Sequence, residues 1–147
     1  MALKMSMRPG ESLFLGTNRL IVKSSQIVDF YLVGMIPVLR EKYYLDPHPN
    51  YGPMESLYLL LQEAFLSGGS LTTEQVNIHL AEVHTQSFPS EARACLTKAI
   101  DFGSLVEGMK ICRHFLRPMS AGHFRSPSLA LSAGHRPAGN VRQTGPR

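Results

Sequence analysis

SLTTEQVNIHLAEVHTQSFPSEARACLTKAI, residues 70–100, states two helix beginnings separated by a short turn. Thr72 stands where its hydroxyl oxygen can accept from the amide three residues on. Gln75 stands where its side chain can answer the cap, and Leu71 and Val76 occupy the two positions of a hydrophobic staple. The spacing therefore predicts a helix from 72 to about 85 with Val76, Leu80 and Val83 facing inward. A second helix is expected from about 89 to 102. Pro89 suits its first turn because the missing N–H would be unpaired there anyway, and Gly103 closes it. Ala92, Cys95, Leu96 and Ala99 fall on its inner face.

Upstream, MESLYLLLQEAFLSGG (54–69) places Met54, Leu57, Tyr58, Leu61, Ala64 and Phe65 on one helical stripe and ends in Gly68 and Gly69. Leu57, Leu61, Phe65, Val76, Leu80, Leu96 and Phe102 are the predicted meeting points of the three helices. Downstream, SLVEGMKICRHF (104–115) carries a glycine in its middle and reads as strand, turn, strand. The three prolines of LDPHPNYGP (45–53) allow no regular element and mark a linker. Before it, Ser24 and Ser25 offer caps to a helix over about 26–44, with Ile27, Phe30, Tyr31, Gly34 and Val38 on one face and a kink at Pro37. SLFLGTNRLIVKS (12–24) reads as a hairpin closing on Gly16, Thr17 and Asn18.

The order helix, helix, helix, strand, turn, strand over 54–115 resembles the winged helix-turn-helix superfamily. With that resemblance over the middle of the chain, the elements read from the residues make a mainly α protein: an N-terminal hairpin and kinked helix (1–45), a proline-rich linker (46–53), a winged-helix-like module (54–116) and a disordered basic tail (117–147). The resemblance implies that the helix near 89–102 is the element that enters a major groove, with the hairpin after it as the wing. On these positions Arg93, Thr97 and Lys98 are the candidate nucleic-acid contacts on the helix, with Lys110, Arg113 and Arg117 beyond it. The wing departs from the family pattern, since CRHFLRP is basic and ends at Pro118 where an apolar strand belongs.

Charge divides the chain. Residues 1–107 hold 8 Lys/Arg against all 11 Asp/Glu, a balance of −3, whereas residues 108–147 hold 7 Lys/Arg and no acid, a balance of +7. A basic, Pro-, Gly- and Ser-rich terminus is compositionally a solvated extension able to attract acidic surfaces. It contains SAGH twice, at 120–123 and 132–135, too few copies for a repeat fold, and a candidate phosphosite at Ser126 before Pro127. On the helix itself Glu91 and Asp101 offset Arg93 and Lys98, and Glu91 sits where the helix dipole would otherwise favour a phosphate.

Catalytic constellations are weak. His79, Glu82 and His84 lie close in sequence, but five residues separate the histidines by about 140° around a helix, unlike the i, i+4 pair of a zinc protease. Cys95 and Cys112 form no zinc-binding spacing and are too few for a disulfide scaffold. GGS at 68–70 is a helix terminus and not a phosphate cradle. The longest apolar run, 27–39, contains Asp29, Gly34 and Pro37 and falls short of the roughly 20 residues that cross a bilayer. MALKMSMRPG has no apolar core of a signal sequence. These features lead to a non-enzymatic interaction subunit of a protein complex in the nucleus or cytoplasm. Its partners are proteins, with DNA or RNA as the alternative, and it has no cofactor, no metal and no membrane attachment.

Overall fold

A computed structural model describes residues 2–116; the basic tail of 117–147, with Arg117, both SAGH copies and Ser126, lies outside them. The chain opens with β1 (Ala2–Met7), continues through the hairpin β2 (Ser12–Leu15) and β3 (Asn18–Ile21), and then forms β4 (Val28–Val33), β5 (Val38–Arg40) and a 3-10 turn (Glu41–Tyr43). Four helices follow: α1 (Pro53–Leu66), α2 (Thr73–Leu80), α3 (Ser90–Asp101) and α4 (Leu105–Arg113). The architecture is mixed α and β, which corrects the mainly α expectation.

The strands make two antiparallel sheets, β1–β4 and β3–β2–β5. β1 alternates Leu3, Met5 and Met7 with Lys4 and Ser6, and Met5 and Met7 are buried. It pairs with β4 along its whole length, from Ala2 opposite Val33 to Met7 opposite Val28. The hairpin predicted within 12–24 is present as β2 and β3, with Leu15 opposite Asn18 and only Gly16 and Thr17 between them. Gly16 has φ +60°, the value that the first central residue of a tight hairpin turn requires and that glycine adopts without strain.

The helix expected over 26–44 does not form. Val28–Val33 alternates half-buried and exposed residues at the period of a strand. Gly34 then takes φ +119°, outside any helix, and β-branched Val28, Val33 and Val38 favour extended backbone. β2 becomes the middle strand of its sheet, with Leu13 opposite Arg40 and Phe14 opposite Leu39 in β5. Its alternation joins two cores: Leu13 packs with Met5, Met7 and Val22, while Phe14 and Leu39 turn to the other side and join the helical core. The three-stranded sheet is thus a layer between the β1–β4 ribbon and the helices.

In the helical layer, the Thr72 cap is realised in full. Its hydroxyl accepts from the Gln75 amide at 3.2 Å, and the Gln75 side chain accepts from the Thr72 amide at 2.8 Å. Val76, Leu80, Val83, Leu57, Leu61 and Leu96 are buried together, but Phe102, placed in the core from sequence, caps α3 with 77 % of its surface exposed. Cys95 likewise sits outside, not on the inner face.

The predicted strand, turn and strand over 104–115 is replaced by α4. Gly108 is in mid-helix, where a Cβ would stand 3.1 Å from Leu96 Cδ1, 3.5 Å from Ile100 Cδ1 and 3.8 Å from Leu61 Cδ1. The glycine serves close approach of α4 to α1 and α3, so no wing hairpin exists here.

Two polar junctions tie helices to the segment that follows β5. Gln62 is buried in α1, and its amide makes a two-bond clasp with the Leu45 backbone, accepting from N–H at 2.8 Å and donating to C=O at 2.9 Å. Tyr58 donates to the Tyr43 carbonyl at 2.6 Å and accepts from Arg113 at 3.0 Å, while the Arg113 guanidinium lies 4.1 Å from the Tyr43 ring centroid. Burial raises the Tyr58 pKa above its ordinary value, and the Arg113 charge and hydrogen bond work the other way.

Candidate interaction groove

Helix α1 has more apolar surface than its core contacts need. Met54, Leu57, Tyr58 and Leu61 are buried, whereas Leu59, Leu60 and Leu66 are only half-buried, with Leu59 and Leu66 packed along the edge of the helical core. Across from them the β2–β3 hairpin presents Phe14 and the segment after the 3-10 turn presents Tyr44. Between the two lies a groove of about 580 Å³, whose lining also includes Leu71, Arg19 and Glu63. That volume is of the size that takes apolar ligand groups, roughly 300–1,000 Å³.

The aromatic wall is a stack. Phe14 and Tyr44 have ring centroids 3.8 Å apart and planes 12° from parallel, and the Arg19 guanidinium carbon is 5.7 Å from the Phe14 centroid. Arg19 Nε donates to Ser12 Oγ at 3.2 Å, and the Ser12 amide donates to Glu41 at 2.7 Å, so the cation is held by strand and turn together. The Tyr44 hydroxyl pKa is raised, first by burial and then by the Asp46 charge. The groove therefore offers preformed apolar walls with one positive and one negative group in its lining.

The residues singled out for nucleic acid are placed differently. Arg93 points back into the α2–α3 turn, where Nε donates to the Phe88 carbonyl at 2.8 Å, one terminal nitrogen donates to Leu80 at 2.8 Å and the other donates to Val83. Thr97 is half-buried and donates to the Arg93 carbonyl at 3.0 Å. Lys98 and Lys110 are exposed on α3 and α4, and Arg113 is committed to Tyr58 and Tyr43. Arg93 and Arg113 thus serve two separate junctions.

Among the described residues no group of three or more His, Cys, Asp or Glu is arranged to hold a metal ion. His79 Nδ1 lies 3.4 Å from the Gln75 carbonyl of its own helix, while Glu82 and His84 are exposed. Cys112 is fully buried, and burial pushes its thiol up to about 12, which leaves it neutral and unreactive at ordinary pH. No helix among the described residues is long and apolar enough to cross a membrane. Compared with models of protein families, with curated proteins and with solved structures, the chain matches none.

Leu59, Leu60 and Leu66 escape a reading that seeks one helical stripe. The signal is nonetheless present: LYLLL at 57–61 is apolar without interruption, and a helix apolar on more than one side needs a second covering surface.

Proposed function

We propose that the chain is a non-enzymatic protein-interaction module that takes an apolar segment of a partner protein into the groove between α1 and the β2–β3 hairpin. The observation that carries this is the second apolar face of α1 at Leu59, Leu60 and Leu66, set opposite the Phe14–Tyr44 stack. Apolar walls with a few fixed polar groups at the margin suit a partner segment that buries alternate side chains and pairs its own charges with Arg19 and Glu63. We place it in a reducing compartment, as a subunit of a nuclear complex, in keeping with one exposed and one buried free thiol. The resemblance of the order of elements over 54–115 to winged helix-turn-helix proteins lacks the hairpin expected over 104–115, so the proposal rests on the groove and not on that resemblance.

Nucleic-acid binding is the second reading, favoured by the seven basic and no acidic residues after Glu107. Affinity capture with and without nuclease, run on the wild type and on Leu60→Glu, separates the two. Leu60 lines the groove half-exposed, so the substitution places a charge there without opening the core. Protein partners that persist after nuclease and are lost from Leu60→Glu, at unchanged helical content, are the expected result. Partners released by nuclease and indifferent to Leu60→Glu transfer the function to nucleic acid.

A further inference from the structure

A second pocket, of about 400 Å³, lies at the base of the β1–β4 ribbon and is lined by Arg8, Arg40 and Lys42 together with Ser6, Glu11 and Ile27. Its three cations come from three separate places: the turn after β1, the end of β5 and the 3-10 turn. Each is positioned locally. The Arg8 turn is closed by its own amide donating to Glu11 at 2.6 Å and by the Glu11 amide donating to the Arg8 carbonyl at 3.1 Å. The turn is pinned to β3's end through Gly10 and Val22, whose amides donate to Val22 and Glu11 carbonyls at 3.1 and 3.0 Å. Arg40 reaches back to the Ser6 carbonyl at 3.5 Å, and the Lys42 ammonium is 4.9 Å from the Tyr43 ring centroid.

None of the three cations pairs with a carboxylate side chain among the described residues, and nearby Asp29 accepts from the Ser6 hydroxyl instead. Three positive groups against the one Glu11 carboxylate leave the lining two charges positive. We infer that this pocket binds a phosphate monoester, carried on a serine or threonine of a protein partner. A phosphate monoester carries about −1.5 to −2 at pH 7 and three acceptor oxygens, which suits the surplus charge and the three cationic groups. A nucleic-acid backbone fits less well, because it offers single charges in a row and needs a continuous basic track, whereas Glu11, Asp29 and Glu41 interrupt the surface around this pocket. Ile27, 64 % exposed at the rim, supplies an apolar wall for the stem of the phosphorylated residue. That a protein carries the phosphate rests on the interaction reading above; the pocket's preference for a monoester does not.

The test is an amide-resolved NMR titration of the full chain with N-acetyl-phosphoserine-N′-methylamide, its unphosphorylated analogue, inorganic phosphate and a single-stranded DNA. Expected are shifts confined to residues 6–11, 27 and 40–42 for the phosphoserine probe and none for the unphosphorylated one. Affinity should fall about tenfold or more in Arg8→Gln/Lys42→Gln, since charge-assisted hydrogen bonds are lost. It should also fall as pH drops through about 6, where the monoester takes up its second proton. Both substituted side chains are exposed, and unchanged spectral dispersion verifies that the variant is folded. Leu60→Glu should leave the probe's affinity unchanged, so failure of the groove and failure of the pocket are read separately. An absence of shifts, shifts spread over Lys98, Lys110 and Arg113, or tighter pH-independent binding of DNA at the same amides overturns the pocket. Inorganic phosphate binding more tightly than phosphoserine overturns the protein-borne carrier.

Discussion

Replacing Arg93 with methionine keeps an unbranched apolar stem beside Phe88 and deletes the guanidinium that holds the α2–α3 turn. In the folded chain that group donates to three main-chain carbonyls, Phe88, Leu80 and Val83, from three different nitrogens. Hydrogen bonds to a charged group contribute about 1.5–3 kcal/mol each when buried. Arg93 is half-buried, and the Leu80 carbonyl also accepts from the Val83 amide, so part of the deficit is made up by water and by the remaining bond. The net loss expected for Arg93→Met is therefore about 2–4 kcal/mol, a large share of a small domain's stability. Arg93→Lys keeps the charge near the C-terminal end of α2 but cannot reach three carbonyls at once, and should lose about 1–2 kcal/mol. Urea unfolding followed by far-ultraviolet circular dichroism, with an unchanged m-value, measures both. A loss under about 0.5 kcal/mol for Arg93→Met, as for an ordinary surface substitution, would refute the staple. The same variant bears on nucleic-acid recognition: reading a guanine edge takes two guanidinium N–H groups in a free fork, and three of the five on Arg93 are already held by the turn. Arg93→Met should then weaken the fold and leave any nucleic-acid binding by the tail intact.

What the sequence made legible is what local chemistry decides. Thr72 and Gln75 specify the start of α2 without reference to the rest of the chain, and the observed bonds are the ones their spacing predicts. Gly16 and the flanking apolar runs did the same for the β2–β3 hairpin. Elements whose identity depends on a distant partner are not legible in this way. Val28–Val33 is a strand because β1 lies beside it, and β1 itself is announced only by the short alternation of Leu3, Met5 and Met7. Gly108 reads as a turn until Leu96 and Ile100 are placed against it, when it becomes the reason α4 can approach. Phe102 and Cys95 follow the apolar pattern of α3 but fall beyond the surface its neighbours cover. The groove was hidden for a related reason: a stripe search assigns α1 one face, whereas Leu59, Leu60 and Leu66 form another that matters only once the hairpin stands opposite.

Gly108→Val should destabilise the fold by about 1–3 kcal/mol through overpacking against Leu96 and Ile100, with Gly108→Ala closer to neutral because gained helix propensity offsets a contact to the flexible tip of Leu96; chemical denaturation measures both. Cys95 should react at once with a thiol reagent while Cys112 reacts only as the core opens. Because burial holds the Cys112 thiol at about 12, the unfolded chain releases that proton first as pH rises past its ordinary value near 9. Stability should therefore decline between about pH 9 and 10, below the range where the tyrosines with raised values add to it, by as much as about 1.4 kcal/mol per unit, a slope that Cys112→Ala removes. The clasp of Gln62 on Leu45 yields the last expectation. Both the Leu45 amide and carbonyl are bound by that one side chain at a point where Leu45 itself is fully buried, so no water stands ready to replace it. Gln62→Leu retains volume but leaves a buried donor and acceptor without partners, at a cost of about 1–3 kcal/mol each. The loss expected is about 2–5 kcal/mol by urea unfolding, with faster amide exchange concentrated at Leu45 and the adjoining 3-10 turn. If the strands were held to the helices by the packing of Phe14 and Leu39 alone, Gln62→Leu would be neutral or stabilising, and the junction would have to be described without the clasp.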